Sequence, residues 1–148
     1  MNGGRWYQVK LAMDDNDTFV VSVPAFPEVT TYGDSQEAAC VNARRAIEEA
    51  IAARIADGDD VPHPLMNDRA KGHYVQLPIL SYLKAGLYMI SRAKGVSRAE
   101  LARRMGVHRE QVDRLFRLDH KSQMDQIEAA AEALGVPVSV SVPFPDAA

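Results

Sequence analysis

Six arginines lie close together in the second half of this 148-residue chain, and their side chains could hold phosphate groups or the edges of bases. They are Arg98, Arg103, Arg104, Arg109, Arg114 and Arg117. Within 97–117 only Glu100, Glu110 and Asp113 oppose them. Nucleic-acid phosphates attract such cations, and arginine also binds guanine through two hydrogen bonds. This stretch therefore indicates contact with nucleic acid.

The run that carries these arginines, SRAELARRMGVHREQVDRLF (97–116), predicts two short helices joined by a glycine turn. Ser97 and Glu100 have the spacing of a capping box at the start of the first helix. Gly106 lies where the end of a helix favours a positive φ. Val112 begins the apolar inner face of the second helix. This is the helix-turn-helix pattern, whose second helix lies in the major groove of DNA.

Residues at the start of the second helix and one turn further are the candidates for reading bases: His108, Arg109, Gln111 and Arg114. Arginine pairs with guanine and glutamine with adenine. Phosphate contacts position a protein on DNA without specifying sequence, and the candidates for them are Arg98, Arg103 and Arg117. Asp113 would repel phosphate, so we expect it to face away from DNA or to orient Arg109 or Arg117.

The residues before this motif predict a small mixed layer. Strand alternation or composition marks three segments, namely 5–13, 18–23 and 29–33. Ser35 then caps a helix that reaches about Asp57, with an apolar stripe formed by Cys40, Ala43, Ile47, Ile51 and Ile55. A fourth strand follows at 73–78. The order β-β-β-α-β predicts a helix packed on one face of a sheet.

The sequence pattern from residue 79 onward predicts helices and one isolated strand. A helix starts at Ile79, with an apolar side formed by Leu80, Leu83, Leu87 and Ile90. Ser122 is the expected cap of a last helix, with a stripe formed by Met124, Ile127, Ala131 and Leu134. Residues 137–144 alternate valine with serine, which predicts a strand that must pair with the first domain or with a second copy. The predicted fold is α+β: a domain at 1–78, then an all-helical domain at 79–148 that ends in this strand.

Charge and composition limit the classes of function. Residues 1–74 carry 7 Lys and Arg against 12 Asp and Glu, whereas residues 75–148 carry 10 against 8. The positive charge is therefore concentrated in the helix-turn-helix. No apolar run is long enough to cross a membrane, no signal peptide is evident, and the lone Cys40 excludes an internal disulfide. We expect a cytoplasmic protein without a membrane partner.

With both halves described, the chain resembles the HicB-type antitoxins of bacterial toxin–antitoxin pairs. The first half does so in VSVPAFPEVTTYGDSQEAACVNARRAIEEAI (21–51), where the family pattern opens its helix with Thr31, Gly33, Asp34, Ser35 and Glu37. The second does so over 75–135, which looks like the branch that binds DNA through a helix-turn-helix rather than a ribbon-helix-helix. Together these cover nearly the whole chain. One departure is FPEV, where members more often have a glycine before a cysteine or valine.

The resemblance implies partners that composition and spacing do not reveal. It implies a partial ribonuclease-H-like first domain that blocks a HicA-type toxin, which cleaves messenger RNA, and a second domain that binds operator DNA of its own operon. The sequence does not identify the toxin contacts. Acidic candidates, whose charge would suit an RNA-binding toxin, are Glu48, Glu49, Asp59 and Asp60. Helix-turn-helix proteins read paired half-sites, so we expect a homodimer, or a tetramer.

Two other functions are open to this sequence. The first is a stand-alone transcriptional regulator whose first domain senses a small molecule or another protein. The second is a nuclease of ribonuclease-H type, which needs several carboxylates around two metal ions. No carboxylate lies within the strand segments 6–13 and 18–23, and the four histidines, His63, His73, His108 and His120, lack metal-ligand spacing. We therefore expect no enzyme, no metal and no cofactor.

Overall fold

The structure, a computed structural model, describes residues 4–65 and 71–146. Its strands are β1 (Trp6–Met13), β2 (Phe19–Ser22), β3 (Thr30–Gly33) and β4 (His73–Gln76). Its helices are α1 (Gln36–Asp57), α2 (Ile79–Ala93), α3 (Arg98–Met105), α4 (Arg109–Leu115) and α5 (Met124–Ala133). The order β-β-β-α-β followed by helices confirms the predicted α+β class.

One four-stranded sheet with the order β3-β2-β1-β4 forms the first layer, and every neighbouring pair is antiparallel. Helix α1 covers one face of it, because alternate strand residues and the predicted helix stripe meet there. The stripe residues Ala43, Ile47, Ile51 and Ile55 are all buried, and Cys40 is half-buried. Phe26 packs edge-on against Tyr7, with 5.1 Å between ring centroids. The buried Tyr7 hydroxyl donates to the carbonyl of Pro62.

A close approach of β3 to the first turn of α1 fixes the layer. A Cβ atom on Gly33 would lie 2.3 Å from the Ala39 nitrogen, so only glycine fits. Ser35 caps α1 as predicted, since its hydroxyl oxygen accepts a hydrogen bond from the Ala38 amide at 3.0 Å. The glycine and the serine of the pattern at 31–37 therefore have direct structural roles.

Helix α2 links the two parts of the chain, because it follows β4 after only Leu77 and Pro78. The Ser81 hydroxyl donates to the Glu48 carboxylate at 2.7 Å, and the Tyr88 hydroxyl donates to the Asp59 carbonyl at 2.6 Å. One helical turn beyond Tyr88, Arg92 forms an ion pair with Asp60. These contacts dock α2 against the end of α1.

The apolar residues predicted for one side of α2 all lie in the core or against it, but a second side of the helix is buried as well. Its buried residues are Ser81, Lys84, Ala85, Leu87, Tyr88 and Ser91, whereas Leu80, Leu83 and Ile90 are only half-buried. The reason is that α2 packs against α1 on one side and against the helical domain on another. A helix with two partners buries more than one stripe.

Two predictions about the last elements also need correction. Helix α5 begins at Met124 with Gln123 as its cap residue, so Ser122 is not the cap. The Ser122 hydroxyl is buried and has no hydrogen-bond partner among the described residues. The strand expected at 137–144 is not formed in the single chain, because no sheet edge lies beside it. Val138 is half-buried, while Val140, Val142 and Phe144 are exposed.

Nowhere in 4–65 or 71–146 is a helix both long and apolar enough to cross a membrane.

Candidate nucleic-acid interface

Helices α3 and α4 form the predicted helix-turn-helix. The Ser97 hydroxyl oxygen accepts a hydrogen bond from the Glu100 amide at 3.1 Å and caps α3. Gly106 ends α3 with φ 68°, and its amide and that of Val107 donate to carbonyls in the last turn of α3. The two helices pack through buried apolar side chains: Leu101, Ala102, Val112 and Leu115.

The predicted capping box is only half formed, because Glu100 has other partners. Its carboxylate accepts hydrogen bonds from Arg103 at 2.5 and 2.8 Å and from Arg104 at 2.9 Å. These bonds, with that from Arg103 contributing most, lower the pKa of Glu100 to about 2. The carboxylate thus holds two arginines together on the exposed side of α3.

The four residues predicted to read bases all lie exposed on or beside α4: His108, Arg109, Gln111 and Arg114. Among the described residues, none of their side chains forms a hydrogen bond or an ion pair. Val112, Leu115 and Phe116 bury the opposite side of this helix. The polar side chains of α4 are therefore free to contact a partner.

The three arginines predicted to contact phosphates are instead all in ion pairs within the chain. Arg103 pairs with Glu100, and Arg117 with Asp119 at 3.0 Å. Both of these side chains are largely exposed, at 73% and 62%, and exposed pairs are weak enough to exchange for phosphate.

Arg98 differs from the other two, because its side chain is only 31% exposed. It pairs with Asp113 at 2.8 Å and lies over the Phe116 ring at 5.2 Å. Of the two alternatives predicted for Asp113, orientation of Arg109 or Arg117 is therefore wrong, and a direction away from DNA stays a prediction. Asp113 instead ties the start of α3 to α4 through Arg98.

Glu110 is a further candidate that the sequence analysis did not select. It is exposed, lies one turn before Arg114, and faces away from the buried side of α4. A glutamate carboxylate can accept a hydrogen bond from the cytosine amino group. Its place early in the second helix, four residues before an arginine, was the signal that could have identified it.

One flank of α4 adjoins the first domain across a cleft of about 550 Å³. Residues of α1 and its end, including Asp57, line one wall, and Arg98, Arg109 and Arg117 lie on the other. Gln111 and Arg114 do not line this cleft. A partner in contact with Arg109 would therefore lie close to the end of α1, whereas Gln111 and Arg114 can be approached without it.

The acidic turn between β1 and β2 has a local structural role. The Asp14 carboxylate accepts hydrogen bonds from the amides of Asn16 and Thr18. Its pKa is lowered, most by a hydrogen bond with the Thr18 side chain and further by these two amides. In the part of the chain that the structure describes, no three His, Cys, Asp or Glu side chains form a group that could hold a metal ion. Burial raises the pKa of the Cys40 thiol, which disfavours the reactive thiolate.

Comparison with known proteins covers both parts of the chain. Residues 6–86 match the family described as HicB_like antitoxin of bacterial toxin-antitoxin system, and residues 89–140 match the helix-turn-helix family. Antitoxin HicB of Pseudomonas fluorescens is 34% identical over 96% of this chain and 98% of its own length.

Two further relatives have the same kind of name. Antitoxin HicB 1 of Photorhabdus laumondii is 29% identical, over 92% of this chain and 86% of its own. Antitoxin HicB of Escherichia coli strain K12 is 28% identical, over 90% of this chain and 96% of its own. With matches of this extent, the chain belongs to the HicB-like antitoxin family of bacterial toxin–antitoxin systems, and it carries a helix-turn-helix.

Proposed function

We propose that this protein neutralises a HicA-type messenger-RNA-cleaving toxin and represses its own operon. Residues 1–78 bind the toxin, and residues 79–148 bind operator DNA. The observation that carries the DNA half is the exposed face of α4, where Arg109, Gln111 and Arg114 have no partner among the described residues. The toxin would act on messenger RNA and the chain on its operon, so the proposal includes a cytoplasmic location.

Charge supports the toxin half of the proposal. The first 74 residues carry 7 basic against 12 acidic side chains, and an RNA-binding toxin is expected to be basic. Such complementarity speeds association more than it strengthens binding. Of the acidic candidates, Glu48, Asp59 and Asp60 lie where α2 docks on α1, whereas Glu49 is exposed with no partner among the described residues. Glu49 is therefore the best placed of the four for an outside partner.

Paired half-sites require two copies of α4, so the proposal includes a homodimer, or a tetramer built from such dimers. The tail supplies a means of pairing, because Val140 and Val142 are exposed and alternate with serines. Two tails paired antiparallel would form a two-fold ladder in which the same segment of each copy meets the other.

The test uses the full chain, expressed from a foreign promoter, together with the product of the adjacent small gene. We expect the two proteins to co-purify and the full chain to restore growth to cells that make the toxin. We also expect it to bind a duplex from upstream of its own gene more tightly than a random duplex. Replacing Arg109 and Arg114 with alanine should abolish that preference and leave growth rescue intact.

A matched change addresses the toxin half. Glu49→Gln should slow association with the toxin and weaken its salt dependence, without altering DNA binding. Upstream DNA binding without co-purification or growth rescue would contradict the antitoxin proposal. It would favour a stand-alone regulator whose first domain senses another molecule.

A further inference from the structure

Lys84 is a buried cation in the middle of α2, and its side chain is completely inaccessible to solvent. Its ammonium donates three hydrogen bonds, to the carbonyls of Arg114 at 3.0 Å, Arg117 at 2.7 Å and His120 at 2.5 Å. All three donors of the ammonium are thus used on the last turn of α4 and the loop that follows it. Each of these carbonyls also accepts a backbone amide from further along the loop.

The end of α4 differs from the ends of the other helices, because no left-handed glycine follows it and the ammonium adds to the amide bonds that its carbonyls accept. Each of the other four described helices ends one or two residues before a glycine in the left-handed conformation. Helix α4 instead has Phe116 as its C-cap residue, with φ −93°, and the next residue is Arg117. A glycine turn satisfies the last carbonyls of a helix with backbone amides, and a cation can do so instead.

The geometry points to Lys84 as a positioning residue for DNA recognition. Two of its three acceptors are the carbonyls of Arg114 and Arg117, whose side chains are candidates for base and phosphate contact. We propose that the ammonium holds the end of α4 in one arrangement, so that the backbone that carries both arginine side chains is fixed before DNA arrives. The inference rests on the proposed DNA binding.

The position of Lys84 along α2 extends its reach to the first domain. Ser81 and Tyr88, which lie one turn before and one turn after it, are the residues that contact Glu48 and Asp59. Lys84 therefore fixes the recognition helix to the same helix that docks on α1. Together with the edge-on contact between Tyr88 and Phe116, whose ring centroids lie 5.8 Å apart, this side chain joins the end of α4 to α2.

The test compares full-length Lys84→Met with Lys94→Met on the duplex from upstream of the gene. Lys94 is exposed at the end of the same helix, so its replacement removes an equal charge without removing the three bonds. We expect Lys84→Met to weaken binding about tenfold to a hundredfold, because the backbone that carries the two arginines must then be ordered during binding. Lys94→Met should weaken it by about twofold at most.

A second chain, in which two arginines are replaced, distinguishes a positioning role of Lys84 from a general loss of stability. In a chain that carries Arg114→Ala and Arg117→Ala, Lys84→Met should change DNA affinity by less than about twofold, since the two arginines whose backbone Lys84 holds are then absent. A purely structural role would produce the same loss in both backgrounds. If Lys84→Met does not fold, Lys84→Gln, whose amide keeps two donors, replaces it in both comparisons.

The outcomes distinguish this inference from the proposed function. If the wild type binds the upstream duplex and the folded Lys84 variant binds it equally well, Lys84 is not a positioning residue and the function stands. An equal loss of DNA affinity with and without the two arginines would also mean that Lys84 is not a positioning residue. If the wild type binds neither the upstream nor the random duplex, DNA binding itself is wrong, and the role of Lys84 fails with it.

Discussion

Gly33 is the residue on which the contact between β3 and α1 depends. We expect Gly33→Ala to lower the free energy of unfolding by about 1–3 kcal/mol or more, because its Cβ would meet the Ala39 nitrogen at 2.3 Å. Backbone atoms cannot move aside as the end of a side chain can. Urea unfolding followed by the fluorescence of Trp6, which lies on β1 of the same sheet, measures the change.

Gly86 provides the matched control, because a Cβ there would meet nothing within 4 Å. It lies inside α2, where alanine is favoured over glycine, so Gly86→Ala should raise the free energy of unfolding by up to about 1 kcal/mol. Equal losses in the two variants would show that the close approach at Gly33 is not the cause.

The ion pairs of Glu100 predict a change of stability with pH. The pKa of Glu100 is about 2 in the folded chain against an ordinary 4.5, so its carboxylate stabilises the folded state above pH 4.5. That contribution is lost as the pH falls through 4.5 towards 2. Denaturant unfolding should therefore show Glu100→Gln less stable than wild type at neutral pH, with the difference closing in acid. A difference independent of pH would contradict it.

The sequence could not predict which residue forms an ion pair or a hydrogen bond with each charged side chain of the site. Helical periodicity correctly places Arg109, Gln111 and Arg114 on the exposed side of α4, because it depends only on spacing. It cannot place Asp113 against Arg98, since that pair joins two helices whose crossing is set by packing. The three bonds of Lys84 depend in the same way on a loop that has no regular secondary structure.

At the level of elements, we predict that α4 contacts bases and that Arg103 on α3 contacts phosphates. Arg109→Ala or Gln111→Ala should weaken binding to the upstream duplex by about 1–3 kcal/mol and relax the preference for particular bases. Arg103→Ala should weaken upstream and random duplexes alike, because phosphates do not differ with sequence. Binding titrations on both duplexes at several salt concentrations measure these effects.

Equal losses on the two duplexes for Arg109→Ala would place the base-reading surface elsewhere on α4. Helix α2 shows why such an element can be misread. Its leucines suggested one apolar side, but it has two partners and buries Lys84 and two serines as well. A periodic pattern indicates which side of a helix is apolar, and it does not indicate how many neighbouring elements bury the helix.

The whole molecule is predicted to dimerise through its tail. Val140→Asp should shift the full chain towards monomer in light scattering, because a charge on the valine side of the ladder would be buried between two copies. Ser141→Asp adds the same charge on the other side of the segment and should leave the dimer intact. A dimer unchanged by Val140→Asp would mean that the copies meet through another surface.

The segment 137–144 shows that a strand predicted from sequence can be absent from a single chain. Alternation in 137–144 predicts a strand, and the described chain leaves this segment without one. Both observations follow from the same rule, since a strand forms only where a second edge accepts its hydrogen bonds. The α+β order and the helix-turn-helix needed no such partner, and both were predicted from sequence.

The exposed tail has a consequence for solubility. Segments rich in valine with unpaired edges can stack into fibres, since each new strand offers an edge to the next. Here Pro143 directly follows Val142, and Pro145 lies two residues further on. Neither proline has an amide hydrogen to continue a ladder. The prolines therefore limit pairing to the short valine segment, which suits a partner of finite size and discourages aggregation.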